Sequence, residues 1–174
     1  MADRYNVESF NLDHTRVAAP YVRVADVKEL NGVTITKFDL RFTQPNERFI
    51  PTDALHSLEH LLAENSRNHS DEVLDLSPMG CRTGFYLIMH GKKRTEEAAR
   101  LMIRTLQDVL KADRVPGCSP VHCGNYRDHD LEGAKLWARR FLSVRESDLL
   151  KVFREDYTAE ERETLPDWPR RSDV

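Results

Sequence analysis

The amino-acid sequence predicts an α+β fold in which helices pack on one face of an antiparallel sheet. Three observations carry this. β-rich runs occur as two adjacent pairs, a hairpin turn signal lies between the members of the first pair, and long amphipathic helical stretches follow the pairs. The predicted order is strand, strand, helix, strand, strand, helix, loop, helix.

The first 50 residues read as largely extended. Val22-Arg23-Val24-Ala25-Asp26-Val27 alternates in part, and the run from Val33 to Phe42 alternates well and is rich in β-branched residues. Asn31-Gly32 stands just before the second run, as a tight hairpin requires. A helix is expected from Thr52 or Asp53, either of which can cap it, to about Asn68, with Leu55, Leu58, Leu61 and Leu62 on its apolar stripe. Val73 to Ser77, ending at Pro78, and Phe85 to His90 read as the second strand pair. Thr95 is expected to cap a helix running to Lys111, whose stripe includes Ala98, Leu101, Met102, Leu106, Val109 and Leu110. Residues 115–125 are loop-like, Leu131 to Phe141 reads as a helix, and a further helical stretch covers Glu146 to Phe153. Domain organisation follows: one folded domain over residues 1–153 and a charged C-terminal tail over 154–174, containing Pro166 and Pro169 and expected to pack poorly.

Bulk properties exclude several function classes. Net charge is −3, from 26 basic and 29 acidic residues with both signs interleaved. No basic stripe exists for a nucleic acid, and no polybasic segment for a membrane surface. No apolar run approaches the roughly 18 residues of a membrane span, and Met1-Ala2-Asp3-Arg4-Tyr5 lacks the apolar core of a signal peptide. The expectation is a cytoplasmic protein acting on a small molecule or a protein, with neither nucleic acid nor membrane as partner. Three cysteines, Cys81, Cys118 and Cys123, do not make a disulfide framework.

The strongest chemical signal is His56-Ser57-Leu58-Glu59-His60. Histidines at i and i+4 share one helix face about a turn apart, where two neutral imidazoles can grip one divalent cation. Glu59 lies close enough to the same face to move protons beside the metal. The plainer reading is a helix with two surface histidines and a solvated glutamate; the three specified positions favour the metal. A two-histidine site needs another ligand. Cys123, in His122-Cys123-Gly124-Asn125, is the best candidate, because Gly124 allows close backbone approach and a thiolate with two imidazoles leaves a fourth position open for catalysis. His129 and His69 are alternatives that spacing does not eliminate. Cys81 sits between Gly80 and Gly84, in a turn that can project its thiol into a cleft beside Arg82, a neighbour that favours the thiolate. Its plainer reading is a small residue at a strand start. Cys118 shows no such setting. Glu96-Glu97 and Glu160-Glu161 read as solvated faces.

Several stretches in order resemble the S-ribosylhomocysteine lyase (LuxS) family. They are Val7-Glu8-Ser9-Phe10 with Leu12-Asp13-His14, Ala19-Pro20-Tyr21-Val22-Arg23, and Lys37 to Phe42 leading to Gln44-Pro45-Asn46. His56 to Leu62, Ser77-Pro78-Met79-Gly80-Cys81, Cys123-Gly124 and His129 to Lys135 complete the set. The resemblance covers about residues 5 to 153, and the stretch from Lys92 to Val121 matches only in kind. It implies the family's metallohydrolase-like α+β fold and a homodimer with active sites at the subunit interface. It implies one divalent metal per subunit, iron(II) natively and replaceable by zinc or cobalt. By position, His56, His60 and Cys123 match the metal ligands, and Glu59 and Cys81 match the acid/base pair. Ser9, His14, Arg41, Arg67 and Asp75 match residues lining the substrate pocket, some of them supplied by the partner. The implied reaction releases homocysteine from S-ribosylhomocysteine and leaves 4,5-dihydroxy-2,3-pentanedione, the autoinducer-2 precursor, by carbonyl migration and β-elimination. The competing readings are a metalloprotease of H-x-x-E-H type, in which Cys81 has no task, and a metal-dependent binding module.

Overall fold

The computed structural model describes residues 5–164. Its first elements are the predicted hairpin: β1 (Tyr21–Leu30) and β2 (Val33–Arg41) run antiparallel. Asn31 and Gly32 join them, both at positive φ (51° and 80°), the backbone that lets a two-residue turn follow the twist of its strands. A register shift between Val24 and Asp26 interrupts the ladder. After α1 (Thr52–Arg67) come β3 (Val73–Pro78) and β4 (Gly84–His90), also an antiparallel pair. β4 pairs with β2, giving one four-stranded sheet in the order β1-β2-β4-β3.

Pleating gives the sheet two unlike faces. Val22, Phe38, Leu40, Phe85, Leu87 and Met89 point to one side and are buried. Helices α1, α2 (Thr95–Lys111) and α3 (Leu131–Leu142) cover that side through Leu58, Leu61, Leu62, Leu101, Met102, Leu106, Trp137 and Phe141. The predicted α+β class, with helices on one face, is the class observed. The other face carries Tyr21, Arg23, Lys37, Asp39, Arg41 and Tyr86; Tyr21 pairs with Arg41, and Asp39 with both Arg23 and Tyr86.

Both predicted helix caps differ from expectation. Pro51 occupies the cap position of α1, in extended conformation and without a side-chain cap, and Asp53 accepts instead from the backbone N–H of Ala54 at 2.8 Å. At α2 the cap is Arg94; Thr95 is the first helical residue, and Glu97 reaches back to accept from the Arg94 backbone N–H at 2.9 Å. Pro51 contributes its carbonyl instead, which accepts the first helical hydrogen bond from the Leu55 N–H at 2.8 Å. The stretch from Glu146 to Phe153 contains only a 3-10 turn, Asp148–Leu150.

Of the predicted tail, residues 165–174 lie outside the described residues. The part that is described packs: Tyr157 is buried and its hydroxyl donates to the Asp148 carbonyl at 3.0 Å. A short helix, α4 (Ala159–Thr164), follows. Glu161, expected on a solvated face, accepts from Lys151 Nζ at 2.6 Å. No helix among the described residues is long and apolar enough to cross a membrane.

Candidate metal centre and acid/base cleft

Helix α1 buries Ala54, Leu55, Ser57, Leu58, Leu61 and Leu62, which turns His56, Glu59 and His60 to its open side. The loop between α2 and α3 folds over that side. Its backbone carbonyls orient the two rings: His56 Nδ1 bonds Asp128 O at 2.9 Å and His60 Nδ1 bonds Pro116 O at 2.7 Å. A carbonyl only accepts, so each Nδ1 carries the proton and each Nε2 presents a lone pair. Gly117 lies against His60: a Cβ there would stand 3.3 Å from Nδ1, and its φ of +67° suits glycine. Close approach therefore belongs to Gly117. Nothing lies within 4 Å of a Cβ built on Gly124, the position at which the sequence suggests that need.

Cys123 Sγ lies 3.4 Å from His56 Nε2. A fourth donor joins them. His129 Nε2 is 3.7 Å from Cys123 Sγ, and its ring stacks on His56 with centroids 4.0 Å apart. One ligand atom from each of His56, His60, Cys123 and His129 lies within 4.8 Å of every other. Ser57 fixes the His129 tautomer. Its hydroxyl donates to Asp53 O at 2.9 Å, so toward His129 Nδ1, 3.2 Å away, it accepts, and Nε2 is left with the lone pair. Burial, then repulsion from His56 and His60, pushes the His129 pKa below its ordinary value and keeps the ring neutral.

The donor chemistry fits a divalent metal: three imidazole lone pairs and one sulfur converge, each ring aimed by a hydrogen bond on its far nitrogen. Sequence spacing leaves His129 and His69 as alternatives to Cys123. The geometry brings Cys123 and His129 in together and leaves His69 elsewhere, bonded to Asp108 Oδ2 at 2.6 Å. Glu59 Oε2 stands 3.6 Å from His60 Nε2. Both residues line a cleft with Ala63, Glu64, Arg67 and Gly117, and Arg67 is held there by the carbonyls of Ala63 and Leu74, at 2.7 and 3.2 Å.

Cys81 occupies a different cleft, about 280 Å³, which it lines with His14, Arg41, Asn46, Phe49 and Thr83. Among the described residues, none lines both clefts. The turn carrying Cys81 is tight because Gly84 packs on β2: a Cβ there would lie 2.2 Å from Leu40 O. Arg82, at φ 61°, lays its guanidinium over Phe49, 4.3 Å from the ring centroid. The cation that serves Cys81 is instead Arg41, through a residue that sequence reasoning does not single out. Arg41 Nη1 donates to Thr83 Oγ1 at 2.6 Å, and Thr83 Oγ1 lies 3.1 Å from Cys81 Sγ. Only the side chain's place at the mouth of the Cys81 turn reveals Thr83; no motif marks it. Ser9 and Asp75 line neither cleft. Ser9 sits in a 3-10 turn (Glu8–Phe10), and Asp75 accepts from Ser77 Oγ at 2.8 Å.

Fold and donor set define an α+β protein with a cluster of side chains able to hold a metal ion and a separate thiol cleft. The S-ribosylhomocysteinase (LuxS) family profile matches residues 7–151, and the chain belongs to that family. It is 56% identical over 139 residues to the S-ribosylhomocysteine lyase of Thermus thermophilus, covering 79% of this chain and 90% of that protein. It is 53% identical over 148 residues to the protein of that name from Macrococcus caseolyticus, covering 84% and 92%. With the one from Listeria monocytogenes serotype 4a, identity is 52% over 156 residues, 89% of this chain and the whole of that protein.

Proposed function

We propose that the protein is an S-ribosylhomocysteine lyase, releasing homocysteine and 4,5-dihydroxy-2,3-pentanedione from S-ribosylhomocysteine. The observation that carries the reading is the convergence of His56, His60 and Cys123 beside Glu59 in a chain of this family. These three hold one divalent metal, iron(II) natively, with zinc or cobalt able to replace it; His129 flanks them. When bound, the metal supplies Lewis acidity that acidifies substrate hydroxyls and steadies negative charge on substrate oxygen.

The chain's own residues then handle protons. A thioether leaves readily only when a carbonyl stands two carbons away, so the sugar carbonyl must move from C1 to C2 to C3 before elimination. Each move takes a proton from one carbon and returns one to its neighbour. Cys81 as thiolate takes and returns protons on one side of the sugar, and Glu59 shuttles them among the hydroxyls on the other.

One chain keeps these two groups in separate clefts. That separation supports a homodimer in which the Cys81 cleft of one copy faces the metal group of the other. Exposed apolar side chains beside the Cys81 cleft and on the N-terminal segment, Phe49 (49% exposed) and Phe10 (65% exposed), supply surface for such an interface. His14 and Arg41 then line the substrate site from the Cys81 side and Arg67 from the metal side, while Ser9 and Asp75 meet the substrate across the interface. The catalytic domain is residues 1–153. The metalloprotease reading leaves the Cys81 cleft without a task.

The test is thiol release from S-ribosylhomocysteine under anaerobic conditions. The wild-type protein releases homocysteine, and Cys81→Ala keeps its metal but forms no product. Wild-type thiol release by Cys81→Ala would remove Cys81 from the chemistry.

A further inference from the structure

Thr83 is a nearly fully buried hydroxyl, 5% exposed, between a fixed cation and the Cys81 sulfur. Its backbone is pinned to the end of β2, where the N–H groups of Phe42 and Thr43 both donate to its carbonyl, at 2.9 and 3.1 Å. Its β-branched side chain has little rotational freedom. Arg41, 1% exposed, is fixed in turn: Nε and Nη2 donate to Asp39 at 3.2 and 2.8 Å, which leaves Nη1 pointing at Thr83 Oγ1, 2.6 Å away. A guanidinium only donates, so the Thr83 oxygen accepts there, and its single proton is left for another acceptor. Cys81 Sγ stands 3.1 Å from that oxygen.

We infer that Thr83 is a positioning residue for the reaction, a hydroxyl loaded by Arg41 that aims its proton at Cys81 Sγ and so favours the thiolate. Arg41 thereby serves the thiol through Thr83 as well as by the direct attraction between its charge and Cys81. A charge-assisted hydrogen bond to sulfur also fixes the direction in which the remaining lone pairs point into the cleft. The inference rests on Cys81 being the acid/base group, but its test reads the thiol directly and does not need turnover.

The experiment compares wild type, Thr83→Val and Thr83→Ser as metal-loaded, full-length proteins. It measures the rate at which iodoacetamide alkylates Cys81 across a pH series, with the modified peptide identified by mass so that Cys118 and Cys123 do not contribute. Valine keeps the shape and removes the hydroxyl. Losing a hydrogen bond to a charged group moves the midpoint of the rate against pH upward by about one pH unit. Thr83→Ser restores the wild-type midpoint. Thr83→Ala supplies the same comparison if the valine variant does not fold. A wild-type midpoint in the hydroxyl-free variants, or failure of serine to restore it, overturns the inference while leaving the lyase reading to stand or fall by thiol release.

Discussion

Replacing Asp39 by asparagine tests how the thiol cleft is held together. Asp39 is fully buried and accepts four hydrogen bonds: Tyr21 OH at 3.2 Å, Arg23 Nε at 3.3 Å, Arg41 Nε at 3.2 Å and Arg41 Nη2 at 2.8 Å. Burial opposes the Arg41 charge, and the Asp39 charge and hydrogen bonds outweigh it, so the guanidinium stays protonated above its ordinary value. Asparagine removes the charge and turns one acceptor into a donor facing other donors. Arg23 keeps Glu8, whose carboxylate it grips at 2.8 and 3.1 Å, but Arg41 keeps only Thr83 and the one neutral oxygen that asparagine retains. An uncompensated buried charge of this kind costs about 3–5 kcal/mol. At roughly 2–4 °C per kcal/mol for a chain of this size, the midpoint of thermal unfolding falls by about 10 °C. Circular dichroism of the metal-loaded protein measures it. Pairing Asp39→Asn with Arg41→Met, which removes the orphaned charge, recovers part of the loss. A melting point for Asp39→Asn within about 2 °C of wild type would refute the reasoning, since it would mean that the pair contributes no more than an exposed one.

Three further outcomes follow from the geometry. Cys123→Ala loses the metal on dialysis, because the donor group's only anionic ligand is gone, whereas His129→Ala retains it through His56, His60 and Cys123; metal analysis of both checks this. Co-expressing Cys81→Ala with Cys123→Ala restores about one quarter of wild-type activity if the site spans two copies, because half of randomly paired dimers are mixed and one of their two sites is intact; no recovery contradicts a shared site. The Asp108 carboxyl is held below the usual carboxylate range, chiefly by its hydrogen bond from His69, so its contribution is present above about pH 4 and fades as pH falls through the lowered value. Asp108→Asn therefore flattens the acid side of a melting-point against pH curve.

Elements governed by local rules are legible in the chain, and features governed by tertiary approach are not. Asn31-Gly32 between alternating runs specifies its hairpin because few other residues accept two consecutive positive φ values. The apolar spacing of α1 likewise specifies which face carries His56 and His60. The helix caps escape such rules because Thr52 and Thr95 suit a cap as residue types, while the observed solutions use Pro51 and the reach of Glu97. His129 enters the donor group only because Ser57, one turn into α1, receives both its ring and the Asp130 backbone N–H, and no spacing encodes that. Arg82 adjoins Cys81 in sequence but turns away onto Phe49, whereas Arg41, far upstream, reaches the thiol through Thr83 because β2 and β4 are paired. Tyr157 shows the same limit in the tail: a charged composition hides one buried anchor.

S-ribosylhomocysteine cleavage by this chain, as proposed, depends on one metal held beside Glu59. The most direct measurement is anaerobic homocysteine release as the metal-free protein is titrated with iron(II) or cobalt(II), for wild type and Glu59→Gln. Wild-type release is expected to rise with bound metal and saturate at one per chain, and Glu59→Gln to bind the same metal but react more slowly by about 10²–10⁴-fold. A chain saturated at one metal that releases no homocysteine, or a Glu59→Gln variant that matches wild type, would contradict it.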